Sequence, residues 1–320
     1  MRDKKQDGQG DIVVDNMTVT TETSHLFTFL LAEKSVRGVL LDGTILIQEM
    51  RTRHGLGPLE TLVLGQALQV TALMASSLKG HDEIGLRIDS SGPIKGLVAE
   101  ATATGEVRGY LKQVPIPRTE PLQHFDERDD LNPFWGDGFL TITRYLEEGR
   151  QPFSGSVALQ DGNIASEVAH YYLLSEQIPT AIHLSLVFDI HGRVTGAGGL
   201  LLQAMPGASD KIFAALDHKT RTLPSLGKAL AEGRKVDLWL NEQFSTFSPA
   251  ILEEHSIHFH CHCDAERMRL ILLHLPLADL EEIRANGPFP VHLTCHFCSK
   301  QYLFDQKALV DICLEKQSCT

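Results

Sequence analysis

The sequence predicts an α+β protein: an N-terminal mixed α/β domain with a mainly antiparallel sheet and a central helix, then a helical linker and a small C-terminal domain. Short apolar segments separated by turn residues such as Ser90-Ser91-Gly92-Pro93 indicate antiparallel strands. A long apolar segment after Pro58 indicates the central helix. All six cysteines fall between Cys261 and Cys319, and this cluster distinguishes the C-terminal domain from the rest.

Composition excludes several classes of protein. The chain has 320 residues, of which 42% are hydrophobic, and its formal net charge is −12. This acidic balance argues against a nucleic-acid binder and against a polybasic membrane anchor. Residues 1–23 contain no apolar run of signal-peptide length, so we predict a flexible tail and a cytoplasmic location. Leu59–Leu78 is apolar but holds Glu60 and further polar residues, as is typical of a buried helix rather than a membrane span.

The first half of the N-terminal domain, residues 24–206, contains both kinds of element. Ser24–Lys34 is predicted to be a short helix. Val36–Met50 is predicted to form two short strands, or one strand entering a turn at Asp42-Gly43. The central helix is predicted over Leu59–Lys79. Three strands of a meander follow at Ile84–Asp89, Ile94–Thr102 and Val107–Lys112.

The second half begins with a loop rich in proline and charge, Pro115–Gly138. A helix is predicted over Ile164–Gln177, ended by Pro179. The glycines of Gly196–Gly199 indicate closely packed backbone. Strands are predicted at Phe139–Tyr145, Ser154–Leu159, Ala181–Asp189 and Val194–Gln203.

Residues 207–254 have the pattern of a helical linker of low stability. Three short amphipathic helices are predicted, at Ala208–Leu216, Leu223–Ala231 and Val236–Phe244, and no strand pattern is present. Short helices of this kind are marginal in water unless their apolar faces pack on something else. We therefore expect the linker to depend on its neighbours.

Residues 255–320 carry the chemically distinctive motif. Cys261-His262-Cys263 is followed, after a long spacer, by Cys295-His296-Phe297-Cys298. Side chains two apart in an extended segment share a face, and a C-x-x-C turn also brings two sulfurs together. Four thiolates suit a tetrahedral site for Zn²⁺. We predict that Cys261, Cys263, Cys295 and Cys298 bind one zinc ion per chain in a small C-terminal zinc-binding domain.

Other residues are assigned no chemistry. His260, His262 and His296 compete as ligands, but four thiolates already complete a closed site, so these histidines are predicted to lie on the surface. Cys313 and Cys319 are predicted to be a buried thiol and a tail thiol. The chain has no G-x-S-x-G, H-E-x-x-H or P-loop motif, and the sequence therefore predicts that it is not an enzyme.

The motifs together resemble the heat shock protein 33 family of redox-regulated chaperonins. The C-x-C pair, a long spacer and a C-x-x-C pair followed by Tyr302 and Phe304 form that family's C-terminal signature. The resemblance covers about Ser24–Leu314. Further matching segments are Arg53-His54-Gly55-Leu56, Gly92-Pro93-Ile94, Val107-Arg108-Gly109-Tyr110, Ser175-Glu176-Gln177-Ile178-Pro179-Thr180, Gly198–Gln203 and Met205-Pro206-Gly207.

The resemblance implies an ATP-independent holdase chaperone that is zinc-bound and inactive when reduced. It implies activation by oxidation to the disulfides Cys261–Cys263 and Cys295–Cys298, with zinc release and linker unfolding. The partners implied are unfolded or partly folded client proteins and, when oxidised, a second copy of the chain as a homodimer; no nucleic acid and no membrane are implied. Client binding is expected at the apolar faces of the linker: Ile212, Phe213, Leu216, Leu226, Leu230, Leu238, Trp239 and Leu240.

Two alternatives remain open at this point. A constitutive binding module could carry the same zinc site in a purely structural role. A thiol oxidoreductase would need a partner base, which nothing in the sequence before the cysteine cluster supplies. Thiol titration with measurement of zinc release would distinguish a redox switch from a structural site.

Overall fold

A computed structural model describes residues 23–118, 131–149 and 151–318 of the chain. The predicted N-terminal tail lies outside these residues except for Thr23, as does Cys319. The strands are β1 (Ser24–Leu31), β2 (Val36–Asp42), β3 (Glu83–Ser90), β4 (Gly96–Thr102), β5 (Glu106–Leu111), β6 (Gly138–Tyr145), β7 (Phe153–Ala158), β8 (Thr180–Phe188), β9 (Val194–Ala204), β10 (Ala250–Phe259), β11 (Val291–Thr294) and β12 (Gln301–Phe304).

The α-helices are α1 (Thr44–His54), α2 (Pro58–Ala75), α3 (Asn132–Trp135), α4 (Ile164–Tyr171), α5 (Asp210–Arg221), α6 (Leu226–Ala231), α7 (Val236–Phe244), α8 (Ala265–His274), α9 (Leu277–Asn286) and α10 (Gln306–Ser318). A π-helical turn, Tyr172–Glu176, continues α4, and a 3₁₀ turn, Ser245–Phe247, follows α7.

Over the described residues, ten strands form one sheet in the order β7-β6-β3-β4-β5-β10-β1-β2-β9-β8. All neighbouring strands are antiparallel except β5 and β10, which run parallel over a short stretch. The mixed α/β class, the mainly antiparallel sheet and the meander of β3, β4 and β5 are therefore confirmed.

Helix α2 is the predicted central helix. It begins at Pro58, whose missing N–H costs nothing at the first helical position. From Leu59 to Ala75 every residue except Gln66 is buried, because the helix packs on β3, β4 and β5 as well as on β8 and β9. The Nε2 of the buried Gln69 donates two hydrogen bonds of 3.1 Å, to the carbonyl oxygens of Ser185 and Gly198.

Two predictions near the N-terminus were wrong. Ser24–Lys34 was expected to be helical, but Ser24–Leu31 is strand β1, paired with β2 on one side and β10 on the other. Pairing on both edges satisfies its backbone and outweighs the helical pattern of the isolated segment. The second half of Val36–Met50 is not a strand or turn but the start of α1, where Asp42 Oδ1 accepts hydrogen bonds from the N–H and hydroxyl of Thr44.

The predicted linker helices α5, α6 and α7 pack on the sheet. Their buried side chains share one apolar cluster with β1, β2, β8 and β9. Gly196 of β9 and Gly227 of α6 allow very close approach: a Cβ added at Gly196 would lie 1.8 Å from the carbonyl oxygen of Gly227. Gly227 thus serves helix–sheet packing, with its N–H donating to Ser185 Oγ at 2.7 Å.

Strand β10 was not predicted. Its side chains from Ala250 to Ser256 are exposed, so the segment has no alternation of apolar and polar residues from which a half-buried strand could be recognised. The strand is defined by its backbone pairing with β1.

The described chain divides into two compact units, residues 23–261 and 262–318. The ten-stranded sheet belongs to the first unit. The second contains the β11–β12 hairpin and helices α8, α9 and α10. The domain ranges 1–23, 24–206, 207–254 and 255–320 stay a prediction. Among the described residues, no helix combines the length and apolar character needed to cross a membrane.

Candidate metal centre

The four cysteines of the two motifs converge. Their sulfur atoms all lie within 4.8 Å of one another, although two helices and a strand separate Cys263 from Cys295 in the chain. The Sγ atoms of Cys263 and Cys298 are 3.3 Å apart. Two motifs distant in sequence therefore present four thiol groups to a common centre.

Cys295 and Cys298 lie on the turn of the β11–β12 hairpin. The N–H of Cys295 donates to the carbonyl oxygen of Lys300 at 2.9 Å, and the N–H of Ser299 donates to the carbonyl oxygen of Cys295 at 2.8 Å. Ser299 has φ +58°, in the left-handed region, where the chain reverses. The turn holds both sulfurs of the C-x-x-C pair close together, and both cysteines are buried.

The C-x-C pair follows β10 in the chain and precedes α8. Asp264 caps α8, because its Oδ1 accepts the N–H of Arg267 at 2.7 Å. The guanidinium of Arg267 also donates to the carbonyl oxygen of His262 at 2.7 Å. These bonds fix the backbone around Cys263, which keeps the second pair of sulfurs in place.

Tyr302 of β12 contacts the cysteine cluster through its hydroxyl. Its side chain is 3% exposed, and its hydroxyl donates to the carbonyl oxygen of Cys263 at 2.9 Å and lies 3.1 Å from Cys263 Sγ. Burial, the hydrogen bond to Cys263 and the neighbouring sulfurs raise the pKa of Tyr302 well above its ordinary value. The hydroxyl therefore stays protonated and remains a donor to the cluster.

Arg108 of β5 brings a positive charge to Cys261. Its guanidinium forms an ion pair of 2.7 Å with Glu100 of β4 and also interacts with the Cys261 sulfur. Burial by itself would lower the pKa of Arg108, but Glu100 and Cys261 raise it above its ordinary value. A guanidinium beside a sulfur favours the thiolate form, which is both the metal ligand and the nucleophile.

The hairpin rests on a small apolar core within residues 262–318. Arg269 links α8 to α10, donating to Glu315 and Glu266 at 2.6 Å each. Cys313 of α10 is buried and is not one of the four converging cysteines. The buried apolar side chains of this core are Met268, Leu272, Leu280, Tyr302, Phe304, Leu309 and Ile312.

The three neighbouring histidines have different environments. His262 and His296 are exposed, and His260 is half-buried. Each of the three histidines interacts with another group of the protein. Their predicted surface role stays a prediction.

The residues present fit a metal ion. Four sulfur donors within 4.8 Å of one another form the donor set that soft or borderline metals prefer. The surrounding hydroxyl of Tyr302 and guanidinium of Arg108 are both hydrogen-bond donors, and donors of this kind stabilise negatively charged sulfur. The cluster can therefore hold a metal ion.

The residues predicted to bind clients lie in the first unit, on α5, α6 and α7. Four are fully buried against the sheet: Leu216, Leu226, Trp239 and Leu240. Ile212, Phe213 and Leu230 are partly buried against the same cluster. Leu238 is 53% exposed on the outer face of α7. Seven of the eight side chains thus help cover the sheet.

Sequence reasoning assigned no role to Tyr302, Arg108 or Glu100. Tyr302 was named only as part of the family signature, although its place just after the C-x-x-C pair could have suggested a contact with the cysteines, since a buried tyrosine needs a hydrogen-bond partner. Arg108 and Glu100 gave no such signal, because their contact with each other and with Cys261 depends on the register of β4 with β5.

Comparison with known proteins identifies chains that are similar over nearly the whole length. The family model described as Hsp33 protein matches residues 24–305. The 33 kDa chaperonin of Desulforamulus reducens is 32% identical over 286 residues, which cover 86% of this chain and 95% of the relative. That of Geobacter sp. strain M21 is 32% identical over 293 residues, covering 92% and 98%.

A solved structure is also similar. The crystal structure of the 33 kDa chaperonin (heat shock protein 33 homolog) from Thermotoga maritima matches with a TM-score of 0.82 and 28% sequence identity. The match covers 93% of this chain and all of that one. The chain therefore belongs to the Hsp33 family of 33 kDa chaperonins.

Proposed function

We propose that this protein is a redox-regulated, ATP-independent holdase chaperone of the cytoplasm, inactive when reduced and zinc-bound and active when oxidised. The observation that carries the proposal is the convergence of four cysteines from two motifs in a member of a chaperonin family. A chaperone that binds unfolded chains without turnover needs no catalytic residues, which suits a chain without an enzyme motif.

We assign the metal as one Zn²⁺ held by Cys261, Cys263, Cys295 and Cys298. Four thiolates are the donor set of closed structural zinc sites. A zinc ion bound there would supply folding free energy, on the order of 10–16 kcal/mol in comparable peptides. The second unit is small and its apolar core is limited, so its fold would depend strongly on that contribution.

Oxidation would remove the ligands in pairs. In the proposed step, two thiolates of a pair give two electrons to one hydrogen peroxide, an S–S bond forms and the O–O bond breaks. Two protons taken from solvent complete two molecules of water. The proposed pairs are Cys261–Cys263 and Cys295–Cys298. Once paired, the sulfurs no longer offer the thiolates that a zinc ion needs, and the second unit would lose the free energy that folds it.

The linker would respond because its helices are short. Helices of 6 to 12 residues such as α6 and α5 are marginal alone and depend on packing. If they leave the sheet, their apolar faces and the sheet surface beneath them, which includes Phe29 and Leu31, become exposed. Exposed apolar surface of that extent would bind unfolded clients and favour a homodimer of the oxidised protein.

The test is light scattering of an aggregation-prone protein diluted from denaturant, with reduced and with peroxide-treated chaperone. We expect suppression only after oxidation, together with release of one zinc ion per chain. A Cys313→Ser variant should behave as the parent, because Cys313 is outside the cluster. Equal suppression in both redox states would instead favour a constitutive binding module with a structural zinc site.

A further inference from the structure

Strand β10 is unusual for a strand in the interior of a sheet. It lies between β5 and β1, yet the seven side chains from Ala250 to Ser256 are exposed, including the large apolar Ile251 and Leu252. A strand inside a sheet is ordinarily covered on at least one face. Over most of its length β10 therefore contributes backbone hydrogen bonds and little buried apolar surface.

The ladder that holds β10 is incomplete on both sides. Seven residues pair with β1, but the register shifts between Thr28 and Phe29, which leaves Leu252 without an opposite residue. On the other side, pairing with β5 is confined to His258 and Phe259. A cavity of about 740 Å³ lies beside β10 and is lined in part by Lys79, Thr104 and Ser256.

Buried side chains anchor β10 at the end nearest the cysteines, whereas the exposed part makes a side-chain contact of 2.9 Å between Glu254 and Nδ1 of His25 in β1. Ile257 is 3% exposed and Phe259 is 4% exposed, and the Arg53 guanidinium lies 5.3 Å from the centre of the Phe259 ring. Cys261, the first residue of the C-x-C pair, follows Phe259 with only His260 between them. Loss of order around Cys261 would therefore act directly on the anchored end of the strand.

Strand β1, in contrast, has support besides its pairing with β10. It pairs with β2 over seven residues from His25 to Leu31, and Phe29 and Leu31 lie in the apolar core. If β10 left, β1 would remain in the sheet with one edge of unpaired N–H and C=O groups. Such an edge is a template for another extended chain.

From this arrangement we infer that β10 is a displaceable strand and that the edge of β1 it covers is a docking site for an extended segment of an unfolded polypeptide. The inference rests on the chaperone function proposed above. The occupant adds to β1 as an antiparallel strand by main-chain hydrogen bonding. The present occupant shows the chemistry the site accepts: an extended segment held chiefly through its backbone.

The exposure of the β10 side chains would allow segments of many different sequences to dock on β1. Because the side chains of Ala250–Ser256 are exposed, the edge imposes few requirements on the side chains of the strand that replaces them. The edge itself would select partners whose backbone is unfolded and open to hydrogen bonding, and would not select them by sequence. If α5, α6 and α7 leave the sheet, the apolar surface that they uncover includes part of β1, and this surface would favour partners with apolar residues.

Hydrogen exchange measured by mass spectrometry tests the release and the docking. In the reduced protein, amides of β1 should be protected; after peroxide their exchange should become at least ten-fold faster, and added unfolded client should restore protection. Strand β9, which stays paired with β2 and β8, is the internal control. Light scattering on the same samples reports chaperone activity separately.

The outcomes are distinguishable. If β1 stays protected in oxidised protein that suppresses aggregation, the docking inference is wrong and the proposed function stands. If aggregation is not suppressed in either redox state, the proposed function fails and the inference fails with it. If β1 regains protection only as the chaperone concentration rises, without client, the edge pairs with a second copy and the inference is overturned.

A peptide competition separates strand pairing from apolar adhesion. A synthetic peptide of residues 250–259 should displace client from the oxidised protein. Alternate amides of a strand point to opposite edges, so N-methylation of one alternate set should abolish the competition and N-methylation of the other should leave it. Equal competition by both methylated peptides would mean that binding does not use a ladder, and would overturn the inference.

Discussion

The hydroxyl of Tyr302 connects the sulfur cluster to the hairpin that carries half of it. It contacts both the backbone and the sulfur of Cys263, while its own ring is buried beneath Lys300, whose Nζ lies 5.2 Å from the ring centre. Hydrogen bonds of this kind to a metal-bound thiolate orient the ligand and stabilise its charge. The hydroxyl of Tyr302, which follows the C-x-x-C motif, thus supports Cys263 of the C-x-C motif.

Tyr302→Phe should weaken zinc binding about ten- to a hundred-fold, the usual cost of losing a partner of a ligand. The ring and its packing are kept, so the second unit should still fold with zinc. Competition with a chromophoric chelator measures the affinity. Tyr145→Phe is the matched control, since Tyr145 is exposed on β6. Unchanged affinity in Tyr302→Phe would show that its hydroxyl does not support the metal site.

Cys261→Ser should lower zinc content and loosen the second unit, because three thiolates and a hydroxyl are a poorer donor set for zinc. Zinc content per chain by atomic absorption and the melting of the far-ultraviolet circular dichroism signal check both effects. Cys313→Ser, which removes a buried thiol outside the cluster, should retain full zinc. Full zinc occupancy in Cys261→Ser would disprove the ligand set.

At the scale of elements, β10 connects the cysteine cluster to the sheet edge where we propose that clients dock. Its C-terminal end is buried through Ile257 and Phe259, and the rest is exposed. The stability of its pairing therefore depends on a few side chains beside the C-x-C motif. That distribution allows the strand to be released without disturbing β1 and β2.

Ile257→Ala should release β10 in the reduced protein. Removing a buried isoleucine side chain costs about 2–5 kcal/mol, a large amount for a strand with one other buried residue. We expect faster amide exchange in β10 and partial suppression of aggregation without peroxide, with zinc still bound. Ile251→Ala, at an exposed position of the same strand, should change neither property. If both variants exchange like the parent, β10 is not held by Ile257.

At the scale of the whole molecule, the two units differ in what stabilises them. The first has a large sheet with α2 buried against it, and the second has three helices and a two-stranded hairpin whose turn carries Cys295 and Cys298. A small unit of this kind ordinarily needs a metal or a disulfide to be stable. The two should therefore respond differently to removal of the metal.

Removing zinc with a chelator under reducing conditions should make the second unit sensitive to protease while most of the first stays resistant. The reason is that zinc binding and folding of a small module are one equilibrium. Limited proteolysis followed by mass spectrometry locates the cuts, which we expect after residue 261. Adding zinc back should restore resistance. An unchanged cleavage pattern would show that the second unit folds without metal.

Much of the fold could be predicted because its signals are local. The turn residues around Gly92-Pro93, the proline that begins α2 and the glycines that break the linker pattern all act within a few residues. The wrong assignment of Ser24–Lys34 and the missed β10 have the opposite cause. Strands β1 and β10 pair with each other across more than 200 residues of sequence, so the local pattern of neither segment reveals this pairing.

By itself, the sequence determined the α+β class, the late cluster of cysteines, the spacing that suits a four-sulfur site and the resemblance to a family. These follow from residue type and local spacing. Only the tertiary structure decided that β10 covers an edge of β1, that α5 to α7 bury their apolar faces on the sheet, and that Tyr302 and Arg108 reach the cysteines. These contacts join residues far apart in the chain, and strand register and packing determine them rather than local preference.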